Sequence, residues 1–398
     1  MNVPHPITSS EPPKYFYLLD ILRGLAALSV VLWHWQHFYT SNGVLNNFDK
    51  SQQPLYSYFF IFYETGSAAV DVFFIISGFV FFILYAEKIS LRKISPKSFF
   101  YLRFSRLYPL HFLTLILVLF LGHLAYVRTG VSFVYLSNDL YHFVLNLLFA
   151  QSWGIEKGSS FNGPSWSVSV EILLYFVFFV LCWYRFNRLY ILLLIVASSV
   201  LIQAVYAPIG RGLHSFFIGG VMYYIYLNIL KNHRASQCLK IVQILVILSV
   251  VFMVAESKYS FCEMLGLKLL NLIGFNHNND LLINKVMSLG LRTIIFPLML
   301  FYLILLETVK GARGKNLAFI GHISYSSYLI HFPLQLILIL VVKKLDIEVI
   351  PFFNSPITLF GFFIVLISLS LISFYKFELP MQNILRKLLI RPKQGPSK

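Results

Sequence analysis

Apolar residues run along this chain in long blocks, each close to the ~20 residues an α-helix needs to cross a bilayer. Ten blocks can be read, near residues 18–40, 56–85, 104–126, 166–184, 189–207, 212–230, 240–256, 287–307, 317–342 and 356–376. The stretch 140–150 is apolar but too short to span, so it reads as an interfacial or re-entrant helix. Polar residues gather between the blocks. The pattern predicts an all-α fold, a polytopic integral membrane bundle of about ten transmembrane helices.

Composition agrees. Hydrophobic residues make up 58% of the chain and charged residues 12%. An ordinary soluble domain carries about 25% charge, and half of that cannot coat so much apolar surface. The mean hydropathy of +0.73 excludes disorder as well. The net charge of +16 would suggest nucleic acid in a soluble protein. Here the bases sit in short clusters between apolar blocks, so the expected partner is the lipid bilayer and no nucleic acid.

The clusters fix an expected orientation. One set of alternating loops carries Lys88, Arg92, Lys93, Lys97, Arg103 and Arg106, then Arg185 and Arg188, then Lys231, Arg234 and Lys240, then Lys310, Arg313 and Lys315. The opposite loops balance bases with acids, as in Arg128 with Asp139 and Glu156 with Lys157. The positive-inside rule places both termini in the cytoplasm, and an even number of spans agrees with their lying on one side. The basic tail 381–398, with Arg386, Lys387, Arg391, Lys393 and Lys398, is expected against anionic lipid. Pro4, Pro6, Pro12 and Pro13 argue against a cleaved signal peptide, and Cys182, Cys238 and Cys262 are too scattered for a disulfide framework. No internal repeat is visible, and no appended soluble domain is expected.

Ionisable residues inside spans cost about 2.5–3.5 kcal/mol each at a helix centre, so those retained mark the chemistry. Arg23 and His34 lie eleven residues apart in the first span. Eleven residues make about three turns and about 16 Å, which places both side chains on one face. They outline a path from the cytoplasmic mouth into the membrane. The alternative is an arginine snorkelling to headgroups and a hydrogen-bonded core histidine; His37 reads as structural. Asp71, in the second span, needs a partner or water, and Ser77-Gly78 suits close helix packing. Arg103 and Arg106 share a face at a helix start, which suits either phosphate binding or simple positive-inside flanking. Before the fourth span the chain reads Gly163-Pro164-Ser165-Trp166-Ser167, with Glu171 and Tyr175 four apart on one face. Glu171 is expected on the extracytoplasmic side, binding acceptor hydroxyls, orienting an imidazole, or paired structurally with Arg211.

Taken in order, these residues resemble the acyltransferase-3 family of multi-pass membrane acyltransferases. The resemblance runs over 15–380. It rests on the R-x10-H pair Arg23 and His34, on Val70-Asp71-Val72-Phe73-Phe74 with Ser77-Gly78-Phe79, and on the R-x-x-R pair Arg103 and Arg106. It rests also on Trp166-Ser167-Val168-Ser169-Val170-Glu171 with Tyr175, on Ile323-Ser324-Tyr325-Ser326 through His331-Phe332-Pro333, and on Glu378-x-Pro380. The resemblance implies transfer of an acyl group, usually acetyl, from cytoplasmic acyl-CoA to a hydroxyl of a carbohydrate or glycolipid acceptor. It implies a bacterial inner (plasma) membrane, with O-antigen and exopolysaccharide O-acetyltransferases among the relatives.

By motif, His34 would be the catalytic imidazole, as base or as acyl carrier, and Glu171 would work on the acceptor side. Arg23, Arg103 and Arg106 would hold the donor, and Asp71, Trp166, Ser167 and Tyr175 would support the acceptor side. No resident cofactor or metal is expected; acetyl-CoA is a co-substrate. Ile172 stands where many relatives have a second acid, leaving one carboxylate there. Some relatives carry an extracytoplasmic hydrolase-like domain, so this chain is expected to finish transfer itself or with a separate polysaccharide-assembly partner. The rival reading is a proton-coupled secondary transporter of a small solute, against which the missing repeat and one-sided arginine pair count. A non-catalytic scaffold is the second rival.

Overall fold

The computed structural model describes residues 12–45, 48–261, 264, 265, 268 and 280–389. Pro4, Pro6, Cys262, Arg391, Lys393 and Lys398 lie outside the described residues. The protein is an all-α bundle. Among the described residues nine helices are long and apolar enough to cross a membrane: α1 (Tyr17–Tyr39), α2 (Tyr56–Ser90), α3 (Pro96–Thr129), α5 (Gly163–Trp183), α7 (Ala207–Lys231), α8 (Ala235–Glu256), α9 (Lys285–Lys310), α10 (Ser324–Lys344) and α12 (Pro356–Leu389). The tenth expected span is α6 (Leu189–Val205), a shorter apolar helix of 17 residues. The stretch 140–150 forms a short helix, α4 (Leu140–Leu147), and α11 (Val349–Asn354) is a single turn and a half before α12. Between α1 and α2 a two-stranded antiparallel ribbon pairs β1 (Thr40–Ser41) with β2 (Val44–Leu45).

Local chemistry sets the helix ends. Pro96 opens α3 behind Ser95, whose hydroxyl oxygen accepts the Ser98 amide at 3.2 Å. The first amides of α1 have no side-chain cap from Phe16. Glu307, from α9, supplies it: its carboxylate accepts the Tyr17 and Leu18 amides at 3.1 and 3.0 Å. A carboxylate at that end also meets the positive pole of the helix dipole. The last helix runs past the expected end at 376, because a π turn over Ser373–Glu378 carries the chain beyond Pro380 into an amphipathic segment.

Close approach of α2 and α7 organises the centre of the bundle. A Cβ on Gly78 would sit 1.9 Å from the Phe216 carbonyl oxygen, and one on Gly219 would sit 2.2 Å from that of Ile75. Only glycine fits at these positions, so the backbones touch. Around this contact Phe74, Phe81, Phe82, Phe178, Phe216 and Phe217 form the main buried cluster. On its other side α1 packs against α2 and α10. Pro333 lies inside α10 and has no amide to offer the Leu329 carbonyl. The buried Asn162 donates its side-chain amide to that carbonyl at 3.0 Å, which ties α10 to the segment before α5.

Candidate active site

Three imidazoles meet where α1 ends. His34, His37 and His331 are all buried. The His34 and His331 rings lie edge to edge and nearly parallel, with centroids 4.9 Å apart and an interplanar angle of 18°, and His34 Nδ1 lies 3.0 Å from His331 Nε2. His331 Nδ1 donates to the Tyr328 carbonyl at 2.7 Å. One turn along α10, Gln335 donates its amide to the His34 carbonyl at 3.0 Å and accepts from His37 Nδ1 at 3.0 Å. His37 is thus held as a structural hydrogen-bond partner. Among the described residues no three His, Cys, Asp or Glu side chains converge as metal ligands.

One cavity opens on this cluster, and a second shares a wall with that cavity. The larger, of about 460 Å³, is lined by Trp33, His34, Gln151, Trp166, Tyr206 and Arg211 among others. Aromatic faces beside polar side chains suit a polyhydroxylated ligand. Tyr206, between α6 and α7, donates to the Glu156 carboxylate. Burial, and then that hydrogen bond, push its hydroxyl well above the usual tyrosine range, so it remains a donor. The second cavity, of about 100 Å³, is lined by Arg23, Arg103, Arg106, Glu171 and Tyr175. Val70 and Tyr328 line both. Tyr328 is pinned there: its hydroxyl donates to the Pro164 carbonyl at 2.6 Å and accepts from Ser167 Oγ at 2.8 Å.

The arginine cavity is short of counter-charge. Arg23 is paired with Asp20 at 2.8 Å and also donates to the Gly321 carbonyl at 3.2 Å. Tyr15, outside the spans, donates to the same Asp20, and burial followed by that bond raises its hydroxyl above the usual range. Arg103 lies over the rings of Phe81 and Tyr85, 4.5 and 4.7 Å from their centroids. Neither Arg103 nor Arg106 has an ion-pair partner among the described residues. Arg386 of α12 comes within electrostatic reach of both. The Nε atoms of Arg23, Arg103 and Arg386 are buried without an acceptor. Buried donors without partners are costly, and an anion seated among them would satisfy them.

The structure regroups some of the expected site residues. Glu171 lines the arginine cavity and not the one that holds His34. Its Oε1 accepts from Tyr175 and from Ser77, the latter at 3.0 Å, so Ser77 does more than permit close packing. Arg211 does not pair with Glu171. It donates to Asp71 at 2.7 Å, and Ser215 donates to the same carboxylate at 2.9 Å. Asp71 is fully buried, with Arg292 also 3.9 Å away, so it is the anchor of a polar network behind the larger cavity. Trp166 lines that cavity and Arg211 lies 5.3 Å from its ring centroid. Ser167 lines the arginine cavity and bonds Tyr328. Tyr328, His331 and Gln335 are not among the site residues expected from the sequence. Their spacing, a polar stripe at i, i+3 and i+7 in an apolar span, is the signal that marks them.

The protein is a polytopic helical bundle in which a polar cavity lined by a buried imidazole shares Val70 and Tyr328 with an arginine-lined one. Comparison with known proteins makes this specific. The acyltransferase-3 profile, described as an acyltransferase domain, matches residues 16–375. The chain belongs to that family, and its helical bundle is that of a multi-pass membrane protein. It is similar to protein 2 in the picA locus of Rhizobium radiobacter, 38% identical over 110 residues, which is 28% of this chain and 47% of that protein. It is also similar to the acyltransferase MdmB of Streptomyces mycarofaciens, 34% identical over 132 residues, 31% of this chain and 30% of that one. The matches thus span less than half the length of either relative. No solved structure matches the chain.

Proposed function

We propose that the protein moves an acyl group, acetyl in the first instance, from cytoplasmic acyl-CoA to a hydroxyl of a carbohydrate or glycolipid at the other face of a bacterial inner membrane. The observation that carries this reading is the pair of cavities sharing Val70 and Tyr328, one lined by arginines and the other by His34. Arg103 and Arg106 hold the CoA phosphates, and Arg23 sits deeper. The pantetheine arm reaches along α1, where Arg23 and His34 are about 16 Å apart, and brings the thioester to the shared wall. Glu171, on the donor side, orients Ser77 and Tyr175 around that arm. Trp166 and Arg211 face the acceptor. The two relatives are bacterial, and one is named an acyltransferase, in keeping with this reading.

In the reaction His34 Nε2 takes the proton of the acceptor hydroxyl as its oxygen attacks the thioester carbonyl. The C–S bond breaks, and the proton passes to the departing thiolate, giving free CoA and the O-acetyl ester. The test is transfer from acetyl-CoA radiolabelled in the acetyl group, in membranes carrying the native chain or His34→Ala at equal protein level. Label should appear in the polysaccharide or glycolipid fraction with the native chain and fall by about 10²–10⁴-fold with the variant. Undiminished label in the variant would remove His34 from the chemistry. No label above host background for any acyl-CoA would favour the transporter.

A further inference from the structure

The structure points to a second role in the same site, resting on the reading of His34 as the base. We propose that His331 is a positioning residue that fixes His34 in the tautomer whose Nε2 is free to accept a proton. The argument is one of hydrogen-bond direction. A carbonyl oxygen only accepts, so the 2.7 Å contact between His331 Nδ1 and the Tyr328 carbonyl places the His331 hydrogen on Nδ1. A neutral His331 then presents a lone pair at Nε2. Its 3.0 Å partner, His34 Nδ1, must carry a hydrogen and donate it. The remaining nitrogen of His34, Nε2, bears the lone pair. It makes no hydrogen bond to a described residue, yet it is not among the buried unpartnered atoms, and His34 lines the 460 Å³ cavity.

The arrangement does for His34 what a carboxylate does in a catalytic triad, without a charge. No carboxylate lies within 4 Å of His34, His37 or His331 among the described residues, where the one histidine–carboxylate pair is His142 with Asp139. An ion pair in so buried a place would carry a heavy desolvation penalty. A neutral imidazole avoids it. When His34 takes the acceptor's proton, its Nδ1–H becomes a charge-assisted donor to His331, which strengthens the same bond without moving either ring. Tyr328, which supplies the orienting carbonyl, also forms the wall between the two cavities, so one turn of α10 both separates donor from acceptor and orients the base.

The test compares His331→Gln with His331→Phe in the acetyl-transfer assay, with protein yield and detergent melting as controls. A glutamine carries its Oε1 about as far from the backbone as the imidazole carries Nε2, and can accept from His34. A phenylalanine keeps a flat ring in that place and cannot. The expected result is a fall in kcat of about 100-fold or more for His331→Phe at an unchanged KM for acetyl-CoA, with most activity restored in His331→Gln. Activity of His331→Phe equal to or above that of His331→Gln would overturn the proposal, because packing would then be what matters. Should the phenylalanine variant fail to fold, ¹⁵N spectra of histidine-labelled native protein decide: a protonated Nδ1 on His34 supports the proposal and a protonated Nε2 overturns it. Full activity of His34→Ala is a separate outcome, and sinks the functional reading itself.

Discussion

Asp71, deep in the bundle, and Arg106, exposed at the arginine cavity, are charged groups that meet opposite fates. Asp71 is fully enclosed by Arg211, Ser215 and Arg292. Removing it as Asp71→Ala leaves the Arg211 guanidinium with the Ser67 carbonyl in place of its carboxylate, and breaking a buried pair in this way costs about 3–5 kcal/mol. A corresponding drop in melting temperature in detergent is expected; unchanged melting would mean that the pair is not part of what holds α2 to α7. Arg106 has no such partner, so Arg106→Ala should leave melting alone. It should raise the KM for acetyl-CoA about 10–100-fold, the loss of one charge-assisted hydrogen bond, with kcat little altered. An unchanged KM would remove the donor role. At this scale the sequence was partly legible. Arg23 with His34 and Arg103 with Arg106 stand out because each pair lies within one helix at a spacing the backbone fixes. His331 could not be tied to His34, since 297 residues separate them and only packing brings them together. The cavity that Glu171 lines could not be read for a related reason. Depth along a helix does not say which cavity a face turns toward.

Helices were the easiest level to read, because each must satisfy its own backbone in lipid and therefore writes itself as one apolar block. What the blocks did not contain was how tightly they meet. Ser77-Gly78 suggested close packing, and the structure shows Gly78 against the Phe216 backbone and Ser77 turned to Glu171. Gly78→Val would drive a side chain into a carbonyl that has nowhere to move, parting α2 from α7. We expect a loss of folded protein, seen as early melting and lower yield, whereas Gly122→Val, where a Cβ meets nothing within 4 Å, should be neutral. Equal behaviour of the two variants would show that the α2–α7 contact is not limiting. The end of α12 was misplaced at 376 because apolarity stops there, while the helix continues as an amphipathic segment to Leu389. That continuation brings Arg386 to Arg103 and Arg106, a meeting invisible in a tail read only as basic.

Across the whole molecule the arginines and the His34 cavity lie on two sides of one wall, formed by Val70 and Tyr328. Under the proposed function the positive-inside rule gives this a direction, with the arginine-rich end expected toward the cytoplasm. Transfer should therefore be vectorial, with donor consumed at one face and product formed at the other. Sealed vesicles of defined orientation test this most directly. Acetyl-CoA, labelled in the acetyl group and unable to cross the bilayer, is added outside inverted or right-side-out vesicles that contain host glycolipid and polysaccharide. Covalent label should build up in the acceptor of inverted vesicles carrying the native chain, and fail to build up in right-side-out vesicles or with His34→Ala. Equal labelling from both faces, or free labelled acetate or acetyl-CoA in the lumen in place of an ester, would contradict the account.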